Sequence, residues 1–224
     1  IVILWLDAPL CLNFKTYSLS LDVIQINDTD IKCFCGGGCT ESMIAGYSNV
    51  GSLDAGINLL LILEGTIYKY LPNAETFEEF YSAYIAEVKS VVDDVTEKIS
   101  LSQKERAMYN PLPMRTLLID DCIDKETEYN SGGARYKWSI VNFAGMINVI
   151  DSMLVIKEFV FDSRKISAKG FCDKLKNNDS DFLSECRRCG TAFGTDNSTA
   201  NRFTHKLSSD VYSMLDKKKP YTGE

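Results

Sequence analysis

The amino-acid sequence predicts a helix-rich α/β fold with parallel strands. Three observations predict it. The first is an apolar stripe with helical spacing over residues 77–99: Phe77, Phe80, Tyr81, Tyr84, Ile85, Val88, Val91, Val92, Val95 and Ile99, with acids and lysines opposite. The second is the alternating run Ala134-Arg-Tyr-Lys-Trp-Ser-Ile-Val141, which reads as a strand. The third is the order of elements along the chain: strand, helix, helix, strand, helix, with helical connections. The strands are too few to close a sheet, and an unclosed sheet leaves raw edges, so the chain reads as part of a larger body.

The elements follow in order. Ile1-Val-Ile-Leu-Trp-Leu6 is apolar but too short to span a bilayer. It lacks the basic start and small-residue cleavage site of a signal peptide, so it reads as a strand cut off at its beginning. Residues 54–71 read as a largely buried helix capped by Ser52 or Asp54. Thr76 and Glu79 form a capping box at the start of the 77–99 helix. Pro111 and Pro113 punctuate the chain, and Met114 to Asp124 then reads as a helix. Asn130-Ser-Gly-Gly133 is a turn before the 134–141 strand. Asn148 to Phe161 is helical again, and shorter helices cover 167–177 and 200–216.

Composition narrows the function. The formal charge is −7 and the lysines and arginines are scattered, which argues against a nucleic-acid or anionic-membrane surface. Hydrophobic residues make up 45% of 224, enough for one sizeable core. Eight cysteines in a chain of this length read as reduced thiols of a cytoplasmic protein rather than a disulfide framework. Asn27-Asp-Thr29 and Asn197-Ser-Thr199 match a glycosylation sequon by chance.

The unusual stretch is Cys33-Phe-Cys-Gly-Gly-Gly-Cys-Thr-Glu-Ser42. Three glycines in a row are costly to order and suit a segment that needs unusual backbone angles or a very close approach. In an extended loop, Cys39 and Glu41 point the same way with backbones about 7 Å apart. One sulfur and one carboxylate then face adjacent carbons of one small molecule. The competing reading is a glycine turn beside a buried cysteine, with Glu41 capping a helix. A third reading takes Cys33, Cys35 and Cys39 with Cys186 and Cys189 as zinc ligands, although Cys-x-Cys is a cramped spacing. His205, the only histidine, lies in a polar helical stretch and reads as a surface residue, which leaves a Ser/His or Cys/His nucleophile without its base.

Gly38-Cys39-Thr40-Glu41 resembles the Gly-Cys-x-Glu loop of the glycyl radical enzymes, the pyruvate formate-lyase-like family. Leu117-Leu-Ile-Asp-Asp-Cys-Ile123 and Gly132-Gly-Ala-Arg-Tyr136 are similar to a second block of that family. Asn148-Val-Ile-Asp-Ser-Met-Leu-Val-Ile-Lys157 is similar to its continuation, and Ile166-Ser167 and Phe193-Gly-Thr-Asp-Asn197 fall where the family has like residues. The resemblance covers roughly residues 30–216.

The resemblance implies part of a ten-stranded α/β barrel, incomplete in this chain, with the cysteine loop reaching into its middle. It implies that Cys39 becomes a transient thiyl radical and that Glu41 is the acid/base on the neighbouring group. Tyr136, Trp138 and Asn142 follow the glycine turn as candidate substrate-binding residues, with core packing as the competing reading. No metal and no bound cofactor are implied. The family's radical resides on a glycine in a loop of the type Arg-Val-x-Gly-Tyr, installed by a radical S-adenosylmethionine activating enzyme. That motif does not occur in these 224 residues, so the chain is expected to be a fragment without the glycyl radical domain, inactive by itself. A small-molecule substrate, the activating enzyme and a homodimer of the full-length protein are the implied partners. Cys39 stands between Gly38 and Thr40 rather than beside a second cysteine, which favours the dehydratase, decarboxylase or lyase branches. The alternative is a non-catalytic remnant or interaction protein that keeps the family core.

Overall fold

The computed structural model describes residues 26–37, 41–49, 53–189, 191–216 and 218–222. The apolar segment 1–6 and Cys39 lie outside them. The chain divides into two compact units. The first takes residues 1–57, 93–143 and 215–224, and the second takes 58–92 and 144–214.

In the first unit, a short 3-10 turn over Ile31–Cys33 leads into strand β1 (Phe34–Gly37). β1 pairs antiparallel with β2 (Glu41–Ile44) in the register Phe34↔Ile44 to Gly37↔Glu41. The expected extended loop is therefore the stem of a hairpin. β3 (Leu53–Asn58) pairs with β4 (Ile140–Ala144) in a second two-stranded sheet. The helix expected from residue 54 thus begins as a strand. Asp54 is the cause: its carboxylate accepts from the backbone N–H of Ile140 at 3.1 Å and pairs with Arg106 at 3.3 Å. Helix α1 (Leu59–Tyr70) starts only when Asn58 caps it, accepting from the N–H of Leu61 at 3.1 Å.

The strand expected over 134–141 is present only at its end: Ala134 and Arg135 form a bend, and the ladder begins at Ile140. Upstream, Tyr136 makes an isolated parallel bridge to Ser48, whereas the β1–β2 ladder is antiparallel rather than parallel as expected of the strands. The Asn49 side chain takes the place of a neighbouring strand at Trp138, accepting from its N–H at 3.1 Å and donating to its carbonyl at 2.7 Å. A core of Ile26, Ile44, Tyr136, Trp138 and Ile140 fills the space beside the hairpin stem.

Helix α2 (Phe77–Tyr109) is ten residues longer than the stripe predicts. Its capping box is present, with the Glu79 N–H donating to Thr76 Oγ1 at 3.1 Å and the Glu79 carboxylate accepting from the N–H of Glu75. Helix α3 (Pro113–Leu118) stops six residues short of the expected Asp124. Tertiary bonds end it: the Asp120 N–H donates to the Gly46 carbonyl at 2.7 Å, and Asp121 adopts φ +72°. Ile119 and Cys122 turn inward against Tyr129 and Ala134.

The second unit is helical among its described residues. It joins α1 and the first half of α2 to α4 (Met146–Ile156), α5 (Ala168–Lys176), α6 (Ser180–Arg187) and α7 (Ser198–Ser213). A π-helical segment, Lys157–Asp162, continues α4. The stripe is core, as its spacing predicts: Phe80, Tyr84, Val88 and Val92 are fully enclosed. Phe77 and Tyr81 pack their rings on Phe203 of α7. Burial and the Asp210 carboxylate, 2.6 Å from its hydroxyl, push the Tyr81 phenol up. The sequence reading had no element at 180–187, where Asp179 caps α6. Asn197, the second sequon asparagine, is the N-cap of α7.

Candidate active site

The candidate site is built on the β1–β2 hairpin. Gly37 and Glu41 face each other across it, and residues 38–40 connect them. Gly36 is exposed, and a Cβ added there meets nothing within 4 Å, so no described residue accounts for the glycine.

Both feet of the hairpin are tied to the segment carrying Gly132-Gly-Ala-Arg-Tyr136. Ahead of the first leg, the Asp30 carboxylate accepts from Tyr136 Oη at 2.6 Å and from Arg135 Nη1 at 2.9 Å. After the second leg, the Tyr47 ring lies under the Arg135 guanidinium, 4.4 Å from carbon to centroid. Arg135 grips Asp121 with the rest of its fork, Nε at 3.0 Å and Nη2 at 2.6 Å. Backbone bonds seal the junction: the Tyr136 N–H donates to the Tyr47 carbonyl and the Asn49 N–H to the Tyr136 carbonyl.

The electrostatics follow from these contacts. The Tyr136 hydroxyl, then the Arg135 guanidinium, hold the Asp30 carboxyl below the usual carboxylate range. The fork of Arg135, then Lys125, does the same for Asp121. Burial, then the hydrogen bond to Asp30, pushes the Tyr136 phenol up. Burial raises the Cys122 thiol, so this cysteine of the Asp-Asp-Cys motif is a packed side chain rather than a thiolate.

Of the three candidate substrate-binding residues, all in the first unit, Tyr136 and Trp138 are in contact, and Asn142 lies further along on β4. Tyr136 is buried with its hydroxyl committed to Asp30 and to the N–H of Asn27. Trp138 stacks on Tyr136, with centroids 6.3 Å apart, and is 3% exposed; Asn142 on β4 is 8% exposed. Among the described residues, the indole Nε1 of Trp138 and Oδ1 of Asn142 have no hydrogen-bond partner. An open donor and an open acceptor are therefore enclosed in this unit.

The sequence reading missed Asp30, Asp121 and Arg135 as a cluster. The last two were visible within the matched motifs, but nothing local pointed to Asp30. Among the described residues, no group of three or more histidine, cysteine, aspartate or glutamate side chains could hold a metal ion. None of the described helices is long and apolar enough to cross a membrane.

Residues 18–224 match the pyruvate formate lyase-like family. The chain belongs to that family. It is 25% identical over 146 residues to trans-4-hydroxy-L-proline dehydratase of Clostridioides difficile, covering 64% of this chain and 18% of that protein. Its fold matches the solved hydroxyproline dehydratase of the same organism, with a TM-score of 0.86 at 21% identity over 94% of this chain. It also matches the B12-independent glycerol dehydratase of Clostridium butyricum, with a TM-score of 0.82 at 22% identity over 92%. The fold of this pyruvate formate lyase-like chain is thus a helix-rich α/β portion of the glycyl radical enzyme barrel. It spans 29% and 28% of those two solved chains.

Proposed function

We propose that the chain carries the catalytic-cysteine portion of a glycyl radical lyase or dehydratase acting on a small organic substrate. The observation that supports this reading is the Gly37↔Glu41 pairing, between whose partners Gly38-Cys39-Thr40 lie in sequence, in a chain of this family. Cys39 is the reacting sulfur and Glu41 the acid/base.

A glycyl radical, installed by an activating enzyme on a segment other than residues 1–224, supplies the unpaired electron. The open space at Gly36 fits the close approach of another backbone to the hairpin edge. In its thiyl form, Cys39 takes a hydrogen atom from substrate carbon: a C–H bond breaks, an S–H bond forms, and the unpaired electron passes to carbon. Glu41 moves the proton at the adjacent group as the leaving group departs, a role worth about 10²–10⁴ in rate, or roughly 3–5 kcal/mol. Cys39 then returns its hydrogen atom. Trp138 and Asn142 would offer one donor and one acceptor to the substrate, with Tyr136 beside them. The full-length protein acts as a homodimer in this reading.

The test is Cys39→Ala in the full-length, activated protein, assayed on trans-4-hydroxy-L-proline and glycerol. Turnover is expected to vanish while the circular dichroism spectrum stays that of the parent. Retained turnover sinks the assignment.

A further inference from the structure

We propose that Arg135 is a positioning residue that aims the Cys39–Glu41 hairpin. The inference rests on the reading of Cys39 and Glu41 as the reacting pair.

One guanidinium holds both feet of the hairpin. It binds Asp30 just ahead of the first leg at 2.9 Å and covers the Tyr47 ring just past the second leg at 4.4 Å. Its remaining nitrogens are fixed by the two oxygens of Asp121, at 3.0 and 2.6 Å. Asp121 itself sits at φ +72°, in the left-handed region that aspartate adopts more readily than most residues. The Asp120 N–H, one residue earlier, reaches the Gly46 carbonyl at 2.7 Å, so the anchor of the arginine and the second leg form one assembly. Tyr136 adds its hydroxyl to the same Asp30 oxygen that Arg135 uses.

A planar fork with five donors can serve two carboxylates and stack on a ring at once. A lysine ammonium is a single point of attachment and cannot. The stem from Ile44 to Glu41 is three residues, about 10 Å long at about 3.3 Å per residue. A tilt of about 6° at its foot therefore displaces Glu41 by about 1 Å, and a misplacement of that size costs about 100-fold in rate. Arg135 is thus placed to govern the reaction through the hairpin that carries Glu41.

The experiment uses the full-length activated protein with Arg135→Lys and Arg135→Ala, on trans-4-hydroxy-L-proline and glycerol, beside Cys39→Ala. The expected result, at a temperature well below the Tm of every variant, is a kcat about 100-fold lower with KM and radical content unchanged. Guanidinium ion added to Arg135→Ala is expected to restore part of kcat. In hydrogen exchange, which needs no substrate, the amides of Ala45 and Asp120 should exchange roughly ten- to a hundredfold faster in Arg135→Lys, while those of α2 stay unchanged. A parental kcat, a kcat loss that follows radical content and is not restored by guanidinium, or unchanged exchange at Ala45 and Asp120 each overturns the proposal. Turnover by Cys39→Ala would instead overturn the reading of the site, so the two failures are distinguishable.

Discussion

Gly133→Ala tests the packing beneath the Gly132-Gly-Ala-Arg-Tyr136 motif. A Cβ at Gly133 would stand 2.1 Å from the Thr127 carbonyl oxygen and 2.7 Å from Cys122 Sγ. The first obstacle is backbone, so no rotamer relieves it, and the carbonyl must retreat by more than 1 Å to reach ordinary contact. Forced overpacking of this kind costs about 1–3 kcal/mol. The retreat also strains the Thr127 N–H bond to the Cys122 carbonyl and the Gly133 N–H bond to the Glu128 carbonyl, each worth about 1 kcal/mol. The smaller entropy of the unfolded alanine chain returns at most about 1 kcal/mol. The net expectation is a local loss of about 3 kcal/mol, or about 100-fold in exchange rate at the amides of Thr127 and Gly133. Hydrogen exchange resolved by peptide or residue measures this directly. An acceleration below about threefold would mean that segment 122–128 does not pack on Gly133 as described, and the anchor of Arg135 would fall with it.

Two further outcomes follow from the site's charges and thiols. Asp30 and Asp121 titrate below the ordinary carboxylate range when folded, so their stabilising contribution is present above the unfolded value and is lost as pH falls through the folded values. The hairpin amides should therefore lose protection only below pH about 4, and Asp30→Asn should flatten that step; a step centred near neutral pH would contradict the network. Among the cysteines, burial raises the Cys122 and Cys172 thiols and encloses both side chains. Iodoacetamide should label the half-buried Cys35 well ahead of either, as mass spectrometry would resolve, and early labelling at Cys122 would contradict its packing.

What the sequence made legible was periodic or local. The α2 stripe is visible because helical spacing needs no partner, and its capping box lies within four residues. The strand at 53–58 was not legible, because Asp54 is held by groups 52 and 86 residues away. A local reading turns the same aspartate into a helix cap. The premature end of α3 has the same origin, since Asp120 and Asp121 answer to Gly46 and Arg135 rather than to their own helix. At the site, resemblance located Cys39, Glu41 and the glycine-arginine-tyrosine block. Their connection was hidden, because Arg135 and Asp30 are 105 positions apart and neither forms a motif with the other.

Trp138 and Asn142 bear on whether this core is a remnant or a working part. Trp138 and Ile140 pack with Ile44 at the foot of the hairpin, and Asn142 shares the face of Ile140 on β4. A buried donor or acceptor left without a partner costs about 1–3 kcal/mol, whereas an apolar side chain of the same shape costs little. A chain kept only for its fold would be more stable with a phenylalanine and a leucine in these places. An open indole N–H and an open amide oxygen instead suit a polar group arriving from outside the described residues. Under the proposed function, a substrate held beside Cys39 and Glu41 is such a group for the two atoms left without a partner among the described residues.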